Sequence, residues 1–333
     1  MVTIRDIARL AKVSEATVSK ALNDRPDVGA DTKRHVLTIA KKKKFTPHAF
    51  GRALRTKSTG NIGLILYLTP DVKVSRDPFF TFILEGVEAE AAIEGYNVIL
   101  TIPRDKAADS IPKILQEKKV DGLVVIGILK RSILNLLAET KVPQIHVDPQ
   151  IPVDHFSRIM IDNERGGCDI TQLLIQKGHE RIAFIADDLK RLSFVQRCRG
   201  YREGLKSNGI PFNPRYVGTE FRKVFGRFAG KKEARQRPTA VVFGNDNRYI
   251  ESLEDIRAMS LNVPGDLSVV GFDDIFQARQ LTPPLTTVRV YKEEMGSLAV
   301  RNLIRMIRKK DAVPTTTIVP VRIVERESVK MLK

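Results

Sequence analysis

From residue 61 onward the chain alternates short apolar runs with helix-length segments, and that alternation leaves it few folds to choose from. The runs Ile62 to Leu68, Tyr96 to Ile102, Val120 to Ile126 and Pro143 to Val147 form one set. Arg158 to Asp162, Arg181 to Ala186, Thr239 to Gly244 and Leu267 to Phe272 form a second. Strands that are apolar throughout are buried on both faces, as in a parallel sheet covered by its crossover helices. Two sets predict two similar α/β lobes. Ligands of such sheets lie beyond the carboxyl ends of the strands, so two facing lobes place a small-molecule site in the cleft between them.

The first 54 residues follow a helical pattern instead. Ile4, Ile7, Ala8 and Ala11 recur at helical spacing, with Thr3 placed to cap the helix and Asp6 three residues on to complete a capping box. Ser14 caps a second helix in which Val18, Ala21 and Leu22 face inward, leaving Glu15, Ala16, Thr17, Ser19 and Lys20 on the outer side. A tight turn joins the two, which predicts a helix-turn-helix with a presented recognition face. The loop Asn23-Asp-Arg-Pro-Asp-Val-Gly leads to a third helix over Thr32 to Lys42, with Val36, Ile39 and Ala40 on one side.

Charge follows the same division. The net charge is +17, and residues 1 to 60 hold 14 Lys or Arg against 5 Asp or Glu. A basic module of this kind neutralises phosphates and releases counterions, so its affinity for DNA falls steeply with salt. Lys41 to Lys44 is read as a phosphate-contacting run. The remaining charge lies in the long segment and reads as a solvated surface, its cations dispersed among acids. Cys168 and Cys198 have neither metal nor redox spacing and read as reduced thiols. With no apolar run of about 18 residues and a charged amphipathic helix at the amino terminus, a cytoplasmic protein without a membrane partner is expected. No Walker loop, G-x-G-x-x-G or G-x-S-x-G motif occurs, and the five histidines lack metal spacing. His146 and His179 read as structural or surface groups, and no enzyme, metal or cofactor is expected.

Thr3-Ile-Arg-Asp-Ile-Ala, Val13-Ser14 and Ala16-Thr17-Val18-Ser19 resemble the start of the lactose and galactose repressor family of bacterial transcription regulators. Asp77-Pro-Phe-Phe, Val120-Asp-Gly, Ile161-Asp-Asn, Lys177-Gly-His-Glu-Arg-Ile-Ala, Asn245-Asp246 and Val263-Pro-Gly-Asp-Leu-Ser-Val-Val-Gly-Phe-Asp273-Asp274 extend the resemblance over nearly the whole chain. Leu285-Thr-Thr-Val is placed where the chain crosses back between lobes. The resemblance implies a two-lobed α/β effector domain of the periplasmic-binding-protein type behind a small all-α head. The expected divisions are 1–46 for the helix-turn-helix head, 47–60 for a hinge helix and linker, and 61–333 for effector binding and dimerisation. It also implies a homodimeric repressor on a palindromic double-stranded operator, controlled by a small effector, carbohydrate-like ahead of purine.

By resemblance, Thr3, Ser14, Glu15, Ala16, Thr17, Ser19 and Lys20 meet DNA, with Lys20 suited to guanine acceptors and Glu15 to a cytosine amino group. Phe45-Thr-Pro47-His-Ala-Phe-Gly-Arg52-Ala-Leu54 is similar to the family's hinge helix. There Leu54 matches a leucine wedged into the minor groove, and Arg52 is placed to neutralise phosphate or line the groove. Gly29, Lys43-Lys44, His48 and Gly51 depart from the family's usual residues. For the effector cleft the resemblance implies Phe79, Phe80, Arg191, Ser193, Arg197, Phe221, Asn245 and Asp273. Arg197 offers a fixed fork of donors, Asp273 accepts from hydroxyl or ring NH groups, and the phenylalanines can stack on a ring or pack in the core. Asn245 can equally cap its helix. Tyr249-Ile-Glu251-Ser252 and Asp255 stand where the family usually has small residues, so either that lobe repacks or the helix presents new polar groups.

Overall fold

The computed structural model describes residues 2–22, 25–43, 58–68, 78–104, 111–230, 232–309 and 313–332. It divides into two compact units, Met1–Gly60 and Asn61–Lys333.

In the first unit, helices α1 (Ile4–Ala11), α2 (Glu15–Leu22) and α3 (Ala30–Lys42) enclose Ile7, Ala8, Ala11, Val18, Ala21 and Val36. The capping box forms as the sequence predicts: Asp6 N donates to Thr3 Oγ1 at 3.3 Å and Thr3 N donates to Asp6 Oδ2 at 2.9 Å. Such a cap is worth roughly 1 kcal/mol and matters in a helix of only eight residues. Ser14 Oγ accepts from Thr17 N at 3.0 Å and starts α2. Gly29, which has no side chain to accept with, leaves the start of α3 without a side-chain cap. The hinge-helix expectation, with Arg52 and Leu54, lies outside the described residues, as does Lys44.

The second unit has two lobes, each built on one sheet. In the first lobe β1 (Asn61–Tyr67), β2 (Asn97–Thr101), β3 (Gly122–Gly127), β4 (Gln144–Val147), β5 (Ser157–Ile161) and β11 (Thr316–Val319) pair in parallel, in the order β11-β5-β4-β3-β1-β2. In the second, β6 (Ile182–Ile185), β7 (Val217–Gly218), β8 (Ala240–Phe243), β9 (Ser268–Asp273), β10 (Thr286–Arg289) and β12 (Arg322–Val324) take the order β12-β10-β9-β8-β6-β7. Only β12 there runs antiparallel, against β10, among the described residues. The central strands are buried along their length, and their side chains form the apolar cores on both faces of each sheet.

The chain passes between lobes three times among the described residues, at 161–163, 289–292 and 319–322. Helix α11 (Lys292–Arg308) therefore returns to the first lobe, where it packs on α4 (Pro78–Ile93). That contact needs glycine: a Cβ on Gly86 would lie 1.9 Å from the carbonyl oxygen of Glu293. One expectation is corrected here. Leu285-Thr-Thr-Val does not cross between lobes; Thr286 and Thr287 are buried ladder residues of β10, and the crossing follows at Val290.

Candidate functional site

The carboxyl ends of β4 and β9 face the start of helix α8 (Leu192–Ser207) and bring a charged cluster together. At its centre Arg197 is almost wholly buried. Its Nε donates to Asn163 Oδ1 at 2.8 Å, Nη1 to the Gly244 carbonyl at 2.6 Å and Nη2 to Asp273 Oδ1 at 3.1 Å. Its guanidinium lies 3.7 Å from the centre of the Phe272 ring. A planar fork with acceptors in three directions and an aromatic floor is a site that lysine cannot fill.

Three acidic residues at these strand ends adopt the left-handed backbone region: Asp148 at φ 43°, Asp273 at 103° and Asp274 at 50°. Such conformations persist where surrounding contacts hold them, and here the holders are visible. Lys292, buried at the first turn of α11, donates its Nζ to the carbonyl oxygens of Asp273 and Val290. Asp274 accepts from Arg289 Nε at 2.6 Å and from Arg326 Nη2 at 2.5 Å, and these two cations draw its carboxyl below the usual range against the effect of burial. Asp273 behaves oppositely, because burial raises its pKa more than Arg197 and Lys292 lower it.

Asp148 follows β4 in the first lobe. Burial pushes its carboxyl up to about 6, opposed by Arg197 and reinforced by Asp273. Its Oδ2 accepts from Gln150 Nε2 at 2.9 Å, while Oδ1 is buried with no hydrogen-bond partner. Gln150 in turn accepts from Ser193 Oγ at 2.7 Å, so the first lobe is tied directly to α8 of the second. Asp246, at the first turn of helix α10 (Asp246–Ala258), is fully buried and pushed up to about 8, chiefly by burial and then by Asp273. It accepts from Ile275 N at 2.9 Å and Thr287 Oγ1 at 2.6 Å. Gly271 makes room for it, since a Cβ there would lie 2.0 Å from Asp246 Oδ1.

The sequence-based candidates fall into distinct places. Arg197, Ser193 and Asp273 belong to the cluster. Arg191 stands just before α8 with its Nε 3.6 Å from Asp188, and Asn245 caps α10 by accepting from Arg248 N at 2.7 Å. Asn245 also donates to Asp187 at 3.3 Å. Phe79 and Phe80 meet edge to face at 5.5 Å on the first turn of α4 and are half-buried. Phe221 is a core residue: it is fully buried at the start of helix α9 (Phe221–Gly226), stacked on Phe225 at 4.2 Å and on Phe243 at 6.4 Å. Tyr249 packs inward at 5.3 Å from Phe243, while Glu251 and Asp255 pair outward with Arg248 and Arg222. In this helix Tyr249 is therefore a core residue, while Glu251 and Asp255 are paired at the surface. His146 and His179 are buried, the latter 3.0 Å from Thr239 Oγ1. Sequence reasoning missed Asp148, Gln150, Asn163, Asp246 and Lys292; Asp148 had a signal, a lone acid directly after an apolar strand.

On the head, Glu15, Ala16 and Lys20 are exposed on α2. Glu15 is held by Arg5 Nε at 3.0 Å and Lys20 by Asp27 at 2.7 Å. Among the described residues no group of His, Cys, Asp or Glu could hold a metal ion, and no helix is long and apolar enough to cross a membrane.

A helix-turn-helix unit joined to a two-lobed α/β unit with a polar cleft cluster defines a class: ligand-controlled DNA-binding regulators. Residues 3–48 match the model of bacterial regulatory proteins of the lacI family, and residues 171–329 match that of a periplasmic binding protein-like domain. The HTH-type transcriptional regulator RegA of Clostridium saccharobutylicum is 33% identical over 98% of this chain and 98% of its own length. The ribose operon repressor of Haemophilus influenzae is 32% identical over the whole of both chains. A solved structure of the transcriptional regulator CelR in complex with cellobiose is 27% identical with a TM-score of 0.73, covering 98% of this chain and 100% of that one. The chain belongs to the lacI family of bacterial transcription regulators.

Proposed function

We propose that this chain is a homodimeric, cytoplasmic repressor of a near-palindromic operator, controlled by a neutral sugar or sugar derivative held by Asp148, Ser193, Arg197 and Asp273. The observation that carries the ligand class is the buried, partnerless Oδ1 of Asp148 beside a second carboxylate already shared with Arg197. Acceptors in excess of donors suit a ligand rich in hydroxyl groups. A purine asks for a free aromatic face, and Phe221 is already stacked on other rings. Phe79 and Phe80 form an apolar wall in this proposal, Arg191 and Asn245 its rim. The names of the ribose operon repressor and of the CelR–cellobiose complex support a sugar. No catalytic step is assigned to the chain.

A thermal-shift panel of pentoses, hexoses, disaccharides, sugar acids, sugar phosphates and purines tests the ligand class. A ligand of the native state raises the melting temperature, by roughly 2.7 kcal/mol of stabilisation at 100 times Kd. Neutral sugars are expected to give the shift; a shift from purines alone, or from nothing in the panel, overturns the assignment.

The head is assigned residues 1–46, the hinge and linker 47–60 and the effector and dimer domain 61–333. Thr3, Ser14, Thr17 and Ser19 are assigned to phosphate and positioning contacts, and Glu15, Ala16 and Lys20 to base edges. Leu54 is the minor-groove wedge of this proposal, flanked by Arg52 at the phosphates. Two heads on two half-sites give the specificity that one small head lacks. Lys20 must exchange Asp27 for a base, so Lys20→Ala is expected to remove about 1–3 kcal/mol of discrimination while affinity for random duplex changes far less. Competition titrations at one salt concentration measure both; equal losses would make Lys20 a phosphate contact.

A further inference from the structure

The positive charge of the long unit is concentrated, contrary to the dispersed surface expected above. Residues 215–237 carry eight Lys or Arg against two Glu. The fold gathers most of them at one end of the second lobe's sheet. Arg181, Arg215 and Arg237 stand just before β6, β7 and β8, which are neighbours in the order β8-β6-β7, and so lie at the amino-terminal ends of the strands, opposite the effector cluster. Arg181 Nε donates to the Arg237 carbonyl at 3.0 Å. Arg215 and Arg227 donate to each other's carbonyl oxygens at 3.0 and 2.7 Å. Tyr216 ties the row together: its hydroxyl donates to the Gln236 carbonyl at 2.7 Å, and Arg181 and Arg215 both act electrostatically on its phenol.

Arg181, Arg215, Arg227, Lys232, Arg235 and Arg237 are all exposed, and none forms an ion pair with a carboxylate among the described residues. The acids nearby are few. Glu220 pairs with Lys223, Asp255 with Arg222, Asp266 is engaged by Asn262, and Glu233 and Glu180 form no ion pair among the described residues. Backbone carbonyls hold Arg181, Arg215 and Arg227 in place, Arg215 also lies over the Phe228 ring at 4.8 Å, and of these cations Arg237 acts electrostatically on Asp266.

We propose that this end of the second lobe is a second binding surface for double-stranded DNA, contacting the phosphate backbone without sequence preference. Neighbouring strands are about 4.8 Å apart, and duplex DNA carries one charge per roughly 1.7 Å of axis, so each cation of the row has a phosphate within reach. Among the described residues this end of the lobe shows no large exposed apolar anchor, which favours DNA over a protein partner. Protein interfaces are built on buried aromatic and aliphatic residues, whereas phosphate contacts need only Arg and Lys. Phe212, the large exposed apolar residue close by in sequence, is covered by Arg202 at 4.1 Å. A dimer of this chain holds one duplex with its two heads and a second with this surface.

The test is a bridging assay with the full chain: an immobilised random duplex, a labelled random duplex in solution, and retention of the label on the surface. K232E/R235E/R237E reverses three charges whose side chains make no hydrogen bond among the described residues, so the fold is kept; circular dichroism and the melting curve check this. Retention is expected to fall at least tenfold in this variant, with binding to the immobilised duplex within about twofold of wild type. The slope of log affinity against log salt for the second duplex should fall by about 2 to 3. A second variant, R181Q/R215Q, should lose retention likewise. Equal retention by wild type and both variants would mean that the heads alone bridge, and would overturn the proposal. So would displacement of the label by polyglutamate as readily as by unlabelled duplex, since that marks a surface for acidic protein. The readout needs neither operator nor effector, so its failure leaves the regulatory function untouched.

Discussion

Replacing Arg197 with alanine should remove about 3–5 kcal/mol of stability from the two-lobed unit, the loss typical of stripping one partner from a buried ion pair. Its removal leaves Asp273 buried with only the Lys292 charge to balance it, takes the donors from Asn163 and the Gly244 carbonyl, and empties the space over Phe272. Asp148 also loses the cation that favours its ionised form. Urea unfolding of Arg197→Ala, Asp273→Asn and the double variant measures the pair. The double variant should be more stable than the sum of the single losses implies, by at least about 1 kcal/mol, because neither charge is then stranded. A loss below 1 kcal/mol for Arg197→Ala would mean that the cluster is solvated rather than built. Lysine should not rescue, since one ammonium cannot serve three divergent acceptors.

Asp148→Asn should do the reverse to the empty protein and stabilise it. The carboxyl is raised from 3.8 to about 6 in the folded state, so its contribution is fully present below the unfolded value and is lost as pH rises through about 6. Above pH 6 the buried charge therefore costs about 3 kcal/mol, which asparagine, still able to accept from Gln150, does not incur. Melting curves of the two proteins should coincide near pH 3.5 and separate by pH 7.5, with the variant more stable. The same substitution should weaken sugar binding tenfold or more, as an acceptor in need of donors is what the ligand satisfies. Wild-type sugar affinity should fall as pH drops below about 6, and the variant should lose that dependence. A variant destabilised at pH 7.5 would show that Asp148 already has its partners.

Much of this arrangement is legible in the sequence because each signal is local. The capping box needs only Thr3 and Asp6, and eight of the strands show in the sequence as mainly apolar runs. Arg197 and Asp273 are singled out by resemblance, and the structure brings the two together as a buried ion pair. What stays hidden depends on distant segments meeting. Phe221 looks like a stacking platform until Phe225 and Phe243 arrive to make it core. Nothing in the sequence sets Lys292 apart, and only the crossing at 289–292 carries it under Asp273. The strands β7, β11 and β12 are two to four residues long, with Thr316 and Arg322 exposed, so no periodicity marks them. The basic end of the second lobe is visible as a charge count, but only the order β8-β6-β7 brings Arg181 beside Arg237 and Arg215.

Sequence-specific DNA binding under the control of a sugar is tested most directly by selecting duplexes from a random library with the full chain and titrating the enriched duplex against random DNA, with and without the sugar found by thermal shift. One near-palindrome is expected to emerge, bound at least 10³-fold more tightly than random duplex at the same salt, with that ratio changed tenfold or more by the sugar. A library from which no sequence is enriched, or an enriched duplex whose affinity is indifferent to the sugar, would contradict it.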